Sequence, residues 1–138
     1  MTETTTVRDA HEALKEDHRR LHGLVRSLRE SPDLPHLVVA LEQLHEALAR
    51  HFQLEENPGG LYDALGVCVP EFRASLGRLV DDHYRLSAQV RDLRDKARAL
   101  VPRTHDELRR DSLRLAELLA DHERREHEMV DQAIAKGA

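Results

Sequence analysis

Tryptophan is absent from this sequence, cysteine occurs once, and aromatic residues make up only 3% of the chain. The lone Cys68 excludes a disulfide within the chain. The first residues contain no long apolar run, so neither a signal peptide nor a membrane helix is predicted there. We therefore expect a cytoplasmic protein that does not contact a membrane.

Positive charge is not concentrated anywhere in the chain. The 21 Lys and Arg residues are scattered among 26 Asp and Glu residues, and the net charge is −5 with neutral histidine. A nucleic-acid-binding protein usually carries a basic patch or stripe. No nucleic-acid partner is therefore expected.

Leucine, alanine, glutamate and arginine are abundant, which favours helices over a sheet built from β-branched and aromatic residues. The chain of 138 residues, 40% of them hydrophobic, suits a single domain spanning residues 1–138. Apolar residues at three- and four-residue intervals predict helices at about 7–30, 34–57, 70–100 and 104–135. Short connections make consecutive helices antiparallel, so we predict an all-α, up-down-up-down four-helix bundle.

Histidine is the unusual component of the chain, with ten residues. One histidine interrupts the leucine stripe of each predicted helix, and these are His18, His51, His83 and His122. Two of them are followed four residues later by a glutamate, Glu55 and Glu126. Residues four apart lie one turn along the same helix face, so each pair offers a nitrogen and an oxygen to one point of the bundle interior. This arrangement is typical of a metal site.

The chain also resembles two copies of one helix pair. DHRRL at 17–21 resembles DHYRL at 82–86, and HFQLEE at 51–56 resembles HERREH at 122–127. In each pair of helices the two histidines are equally distant from the intervening turn, so antiparallel packing brings them to one depth. The pattern predicts a nearly two-fold site for two metal ions, with both glutamates free to bridge them.

Buried carboxylates need a compensating charge. An unpaired one costs several kcal/mol, and a small domain with a stability of roughly 5–15 kcal/mol hardly tolerates two of them. A bound cation removes this cost. Nitrogen and oxygen ligands without thiolate suit iron, manganese or zinc. We expect two iron ions, with manganese or zinc as the alternatives.

These helices and side chains resemble the hemerythrin-like, or HHE cation-binding, family of non-heme di-iron four-helix bundles, over nearly the whole chain. The resemblance implies that Glu55 and Glu126 bridge two irons. It also implies which histidines serve each iron: His18 and His51 mainly one, His83 and His122 mainly the other.

Two departures separate the chain from the oxygen-carrying hemerythrins. These have a second histidine one turn after the first on the third helix, where this chain has Ser87. Their fourth-helix acid lies five residues after its histidine, where this chain has His127. The pattern is closer to branches implicated in sensing, nitric oxide or peroxide handling, and repair of iron centres. As a hypothesis, His22, which is equivalent to Ser87 in the internal repeat, supplies a fifth histidine ligand.

Three functions remain open at this point. The first is a di-iron protein that binds or senses oxygen, nitric oxide or peroxide at an open iron position. The second is a di-iron enzyme that consumes peroxide or repairs iron centres, and the third is a metal-free helical interaction module. The expected partner is a small diatomic or peroxide ligand, and a homodimer is left open.

Polar residues beside the predicted ligands have two interpretations. The acids that directly precede a ligand are Asp17, Asp82 and Asp121. Each either accepts a hydrogen bond from a ligand imidazole of another helix or lies in solvent, and we favour solvent. Three further residues are expected at the surface: Glu56, Glu123 and His11. His127 is undecided, and Tyr62 and Phe52 are expected to pack in the core.

Overall fold

The computed structural model describes residues 6–100 and 105–137, and all regular elements in these two ranges are helical. In chain order they are α1 (Val7–Ala13), α2 (Lys15–Glu30), α3 (Leu34–Glu56), α4 (Leu61–Cys68), a 3₁₀ turn (Pro70–Phe72), α5 (Arg73–Ala99) and α6 (His105–Ala135). The all-α prediction is confirmed. The predicted start of the last helix at residue 104 lies outside the described residues.

The four long helices α2, α3, α5 and α6 form the body of the molecule. Helix α3 contacts α2 and α5, and α6 contacts the same two helices. The short helices α1 and α4 contact each other and also pack against α6. A helical bundle with two added short helices results, and the up-down-up-down order stays a prediction. Within the described ranges, no helix combines the length and apolar character needed to cross a membrane.

The first predicted helix, 7–30, is divided in two at Leu14, which corrects the prediction. Helix α1 begins where the Thr6 hydroxyl accepts a hydrogen bond from the Asp9 N–H at 3.0 Å, as a helix N-cap does. At Leu14 the N–H donates to the carbonyl of His11, three residues back, at 3.1 Å. This bond tightens the turn as in a 3₁₀ helix. No proline or glycine marks the break, so the apolar pattern could not show it.

Helix α3 follows the prediction closely. Asp33 caps it by accepting a hydrogen bond from the His36 N–H at 2.9 Å, and the helix ends at Glu56. The chain then turns sharply at Gly60, where a Cβ would lie only 2.5 Å from the Leu54 carbonyl oxygen. Only glycine allows this close approach, which directs the following residues back against the bundle as α4.

The third predicted helix, 70–100, begins slightly later than expected. Pro70 opens the 3₁₀ turn, and the α-helix begins at Arg73. The stretch before it, which lies outside the four helices predicted from the sequence, forms the two-turn helix α4 and buries Leu61, Tyr62 and Leu65. This short helix covers one end of the bundle interior.

Two clusters of buried apolar residues make up the core. The first lies among the long helices and includes Leu21, Leu48, Phe52, Leu86 and Leu119. The second lies at the end covered by α1 and α4 and includes Leu14, Leu61, Leu79 and Met129. The buried histidines His18, His83 and His122 each lie, along the chain, between a residue of one cluster and a residue of the other. A polar layer therefore separates the two clusters.

Candidate metal centre

The structure brings the six residues of the predicted histidine and glutamate set into this polar layer. They form two groups in which the ligand atoms lie within 4.8 Å of one another. The four-residue group is Glu55, His83, His122 and Glu126, and the three-residue group is His18, His51 and Glu55. All six side chains are buried. Their role as metal ligands stays a prediction.

Glu55 belongs to both groups, and each of its oxygens faces a different histidine. Its Oε2 lies 3.3 Å from Nε2 of His51, one turn earlier on α3. Its Oε1 lies 3.2 Å from Nε2 of His83 on α5. With one oxygen directed to each group, this carboxylate is placed to bridge two cations.

Glu126 is placed differently from Glu55, although the internal repeat makes them equivalent. Its Oε1 lies 3.5 Å from Nε2 of His122. Its Oε2 accepts a hydrogen bond of 2.5 Å from the Tyr62 hydroxyl. Glu126 is therefore a member of the four-residue group alone.

Carboxylates orient three of the four histidines through Nδ1. The bonds are His51 Nδ1 to Asp17 Oδ2 at 2.6 Å, His122 Nδ1 to Asp82 Oδ2 at 2.9 Å, and His83 Nδ1 to Glu56 Oε2 at 2.7 Å. Because an ionised carboxylate only accepts, each Nδ1 carries the proton, and the lone pair of a neutral ring lies on Nε2. Metal-bound histidines are commonly held in this way.

These bonds overturn one expectation and leave another intact. Asp17, Asp82 and Glu56 hold imidazoles, so the preference for solvated acids was wrong for them. Asp121 behaves as expected, because it is exposed and pairs with Arg124 at the surface. An acid directly before a ligand reaches a neighbouring helix only where that helix packs closely on its side.

Burial controls the protonation of the centre. Burial raises the pKa of Glu55 to about 8. Burial and, after it, the nearby Glu55 carboxylate raise the pKa of Glu126 well above its ordinary value. Burial also lowers the pKa of His18 and of His83 to about 3, with a further contribution from the neighbouring histidine in each case. These two imidazoles are therefore neutral at physiological pH, as metal ligation requires.

Several polar atoms of the centre have no hydrogen-bond partner among the described residues. They are buried, and they are Nε2 of His18, Nε2 of His51, both carboxylate oxygens of Glu55, and Oε1 of Glu126. Nε2 of His83 faces Nε2 of His122 at 3.1 Å, and both rings already carry their proton on Nδ1. Lone pairs that face each other without a proton between them repel, and a cation placed among them removes the repulsion. The donor set therefore fits a metal ion.

Two aromatic side chains, which were expected to pack in the core, complete the four-residue group. The Phe52 ring stacks on His83 with centroids 3.8 Å apart and planes 6° apart. The Tyr62 oxygen lies 2.8 Å from Nε2 of His83, in addition to its bond with Glu126. Burial raises the pKa of Tyr62, so it stays a neutral hydroxyl. The sequence places Tyr62 just after the turn at Gly60, but this position does not predict that its side chain points to the metal centre.

His22 does not join either group, and its role as a fifth ligand stays a prediction. Its side chain is 61% exposed, and its Nε2 lies 2.7 Å from Oε2 of Glu123 on α6. Glu123, expected in solvent, is buried. One turn beyond His18, the side chain at position 22 lies on the flank of α2 that faces α6, whereas Leu21 takes the buried place.

A surface cavity of about 380 Å³ lies beside the centre on the α4 side. Its lining includes Glu56, which hydrogen-bonds to His83 Nδ1, and Tyr62, whose oxygen lies 2.8 Å from His83 Nε2. The remaining lining is mostly small or apolar and includes Val67 and Val80. A small molecule in this cavity would be one side chain away from the four-residue group.

The comparison with protein families agrees with this geometry. The family model of the hemerythrin HHE cation binding domain matches residues 5–133, which is nearly the whole chain. Among curated proteins and solved structures, no match is found. The described elements are helical, and their buried histidine and glutamate side chains form groups that could hold a metal ion. The chain belongs to the hemerythrin HHE cation-binding domain family.

Proposed function

We propose that this protein binds two iron ions in the polar layer of an up-down-up-down four-helix bundle. We further propose that it binds or senses a small diatomic or oxidant there, namely oxygen, nitric oxide or peroxide, in the cytoplasm. The observation that supports the proposal most directly is the set of buried nitrogen and oxygen atoms that converge without hydrogen-bond partners. The membership in a cation-binding family agrees with it.

In this proposal each group holds one ion. The three-residue group would hold the first through His18, His51 and Glu55. The four-residue group would hold the second, with Glu55 shared between the two. Iron would supply redox chemistry and, with so few protein ligands per ion, open positions for a small ligand.

The choice of iron rests on the types of ligand. Both groups combine neutral imidazoles with carboxylates and contain no thiolate. Two histidines and one carboxylate, as in the three-residue group, are typical of non-heme iron sites with open positions. Manganese and zinc share part of this ligand preference, so metal analysis has to separate them.

The small ligand would approach from the cavity beside Tyr62. The Tyr62 hydroxyl stays protonated, so it can donate a hydrogen bond at this edge of the four-residue group. Glu56 fixes His83 from the same cavity. Tyr62 would therefore give a small ligand in this cavity a polar contact beside the four-residue group.

The test is metal analysis joined to optical spectroscopy. Protein purified without air should contain two irons per chain, and its absorption spectrum should change on mixing with oxygen, nitric oxide or peroxide. Each ligand is added separately, and the one that binds at the lowest concentration identifies the physiological class. Protein that contains no metal after reconstitution with Fe²⁺, and whose melting temperature is unchanged by it, would contradict the proposal, because a metal that binds only the native state must stabilise it.

The same preparation separates binding from enzymatic turnover. Repeated consumption of peroxide by the iron-loaded protein, at a rate that a metal-free sample lacks, would favour an enzyme. A single spectral change per added equivalent would favour a binding or sensing protein. A metal-free sample as stable as the loaded one would leave the helical interaction module.

A further inference from the structure

A third histidine cluster lies on the solvent side of the three-residue group. Ligand nitrogens of His11, His18 and His127 lie within 4.8 Å of one another, and we name these residues the outer histidine group. The His11 and His127 rings are 5.1 Å apart between centroids, and each is near His18, at 6.3 and 5.5 Å. Three separate helices contribute one residue each.

The break in the first predicted helix creates this cluster. His11 lies on α1 and His18 on α2, and the tightened turn at Leu14 joins them. His127 comes from α6, directly after Glu126 but on a different side of the helix, since adjacent residues differ by about 100°. His11, expected as an ordinary surface residue, is therefore placed against a residue of the metal centre.

Exposure decreases from the outer histidine group towards the metal centre. His127 is exposed, His11 is half-buried, and His18 is only 8% exposed. The next ring inward, His51, is 1% exposed, and its centroid is 4.8 Å from that of His18. Imidazoles thus continue from solvent to the three-residue group without an apolar residue between them.

The outer imidazoles are free to bind a metal ion. Among the described residues, the imidazoles of His11 and His127 form no hydrogen bond or ion pair. In contrast, carboxylates hold three of the four histidines of the centre. Three neutral imidazole nitrogens at this spacing suit a divalent transition metal, with water in the remaining positions.

We propose that the outer histidine group is an uptake position for a divalent metal ion, which passes from it to the three-residue group. His18 belongs to both groups. An ion bound by His11, His127 and His18 therefore needs only to exchange the two outer imidazoles for His51 and Glu55 to reach the centre. The transfer step rests on the proposed metal centre, whereas the outer position itself does not.

The first experiment measures the rate of metal uptake. Full-length protein stripped of metal is mixed with Co²⁺ in a stopped-flow instrument, and the visible absorption of bound cobalt is followed. We expect a His11→Ala/His127→Ala variant to load at least about tenfold more slowly, because capture at the outer position raises the local concentration of the ion. Its final stoichiometry and spectrum should equal those of the wild type.

The matched control is His36→Ala/His45→Ala, which removes two histidines outside all three groups. It should load at the wild-type rate. Equal rates for all three proteins would overturn the uptake position while leaving the metal centre standing. A lower final stoichiometry in His11→Ala/His127→Ala would also overturn it, because these residues would then be ligands of the centre.

A second experiment tests the outer position without the centre. In His51→Ala/Glu55→Ala/His122→Ala the three-residue group keeps only His18 and the four-residue group only His83 and Glu126, whereas the outer histidine group is intact. We expect this variant to bind one Zn²⁺ per chain weakly in a calorimetric titration, and to lose that binding when His11→Ala is added. Absence of any outer Zn²⁺ would overturn the proposal. If the wild type bound Zn²⁺ at the outer histidine group but not at the two inner groups, the proposed function alone would be contradicted.

Discussion

The two halves of the candidate metal centre come from similar sequences but are built differently. The three-residue group has two histidines and the shared Glu55, whereas the four-residue group adds a second carboxylate, Glu126. The Tyr62 hydroxyl donates its hydrogen bond to Glu126 and also lies near His83, both in the four-residue group. The internal repeat therefore places equivalent residues at one depth, and α4 then makes their surroundings unequal.

The halves also differ in their relation to solvent. His122 and Glu126 are each only 1% exposed. His18, in the other half, is more exposed and borders the outer histidine group. A metal ion with fewer donors and a path of imidazoles to the surface should exchange faster than one enclosed by four donors. The comparison teaches that a near-repeat in sequence need not give two equal metal positions.

The largest expected effect comes from removing the residue that the halves share. Glu55→Ala takes a carboxylate from both groups and leaves the three-residue group with two histidines alone, so we expect loss of at least half of the bound iron. Glu126→Ala leaves each group with two histidines and Glu55, so it should keep most of the iron. Elemental analysis of iron-loaded protein measures both.

An exposed glutamate on the same helix provides the control. Glu46→Ala should keep the full iron content, because position 46 lies at the surface of α3. Equal iron contents in Glu55→Ala and Glu126→Ala would show that the two carboxylates are equivalent, and the asymmetry described above would be wrong.

A smaller effect is expected from the acids that orient the imidazoles. Asp17→Asn and Asp82→Asn each weaken the hold on one Nδ1–H, and loss of such a partner typically lowers metal affinity about 10–100-fold. We expect Asp17→Asn to release its ion at a lower chelator concentration than Asp82→Asn, because the three-residue group has fewer donors. Competition with a chelator measures this order.

Asp121→Asn is the matched control, since Asp121 also precedes a ligand but pairs with Arg124 at the surface. Its iron should be released at the wild-type chelator concentration. If Asp82→Asn lost iron first, the four-residue group would be the weaker position.

The sequence predicted those features that depend on a single helix or on the distance from a turn. A glutamate four residues after His51 or His122 must lie near it whatever the rest of the chain does. Equal distances from a turn likewise bring histidines of consecutive helices to one depth. The six residues that converge were therefore accessible from spacing alone.

The features that the sequence missed depend on packing between distant elements. The turn at Leu14 is a shift in one hydrogen bond without a breaker residue. The direction of Tyr62 depends on how α4 lies across the bundle. Asp17 reaches His51 only because α2 and α3 pack closely on that side. Each of these packing features makes the two halves of the centre different. The internal repeat does not contain them, so it suggested two equal halves.

A third prediction concerns the hydroxyl that distinguishes the four-residue group. Tyr62→Phe removes the only hydrogen-bond donor that Glu126 Oε2 has among the described residues. Leaving a buried polar atom without its partner costs about 1–3 kcal/mol, so metal-free Tyr62→Phe should be less stable by this amount. Urea denaturation of metal-free protein measures the loss.

Tyr84→Phe is the control, because Tyr84 is 72% exposed on α5. It should unfold at the wild-type urea concentration. Iron loading should reduce the deficit of Tyr62→Phe, since a cation at Glu126 compensates for the missing donor. A deficit that persists unchanged in the iron-loaded protein would separate Tyr62 from the metal centre.

The smallest predicted effect is a pH dependence of the metal-free protein that comes from the shared carboxyl. Burial raises the pKa of Glu55 to about 8 from an ordinary value of 4.5. Between these values the folded chain holds a proton that the unfolded chain has lost, so stability falls as pH rises towards 8. Below pH 6.5, His18 and His83, with a pKa of about 3 when folded, act in the opposite direction, because the unfolded chain binds their protons first.

The carboxyl effect is therefore best observed between pH 6.5 and 8, where the two histidines no longer contribute. One pKa unit corresponds to about 1.4 kcal/mol, so Glu55 alone should cost the metal-free protein about 2 kcal/mol across this window. Glu55→Gln removes that contribution and leaves the slope due to Glu126, whose pKa is also raised. Urea denaturation at several pH values measures both slopes. Iron-loaded wild type should show no such fall, because bound cations keep the carboxylates ionised and stabilised; equal stability of the metal-free wild type at pH 6.5 and 8 would mean that Glu55 is not held protonated by its surroundings.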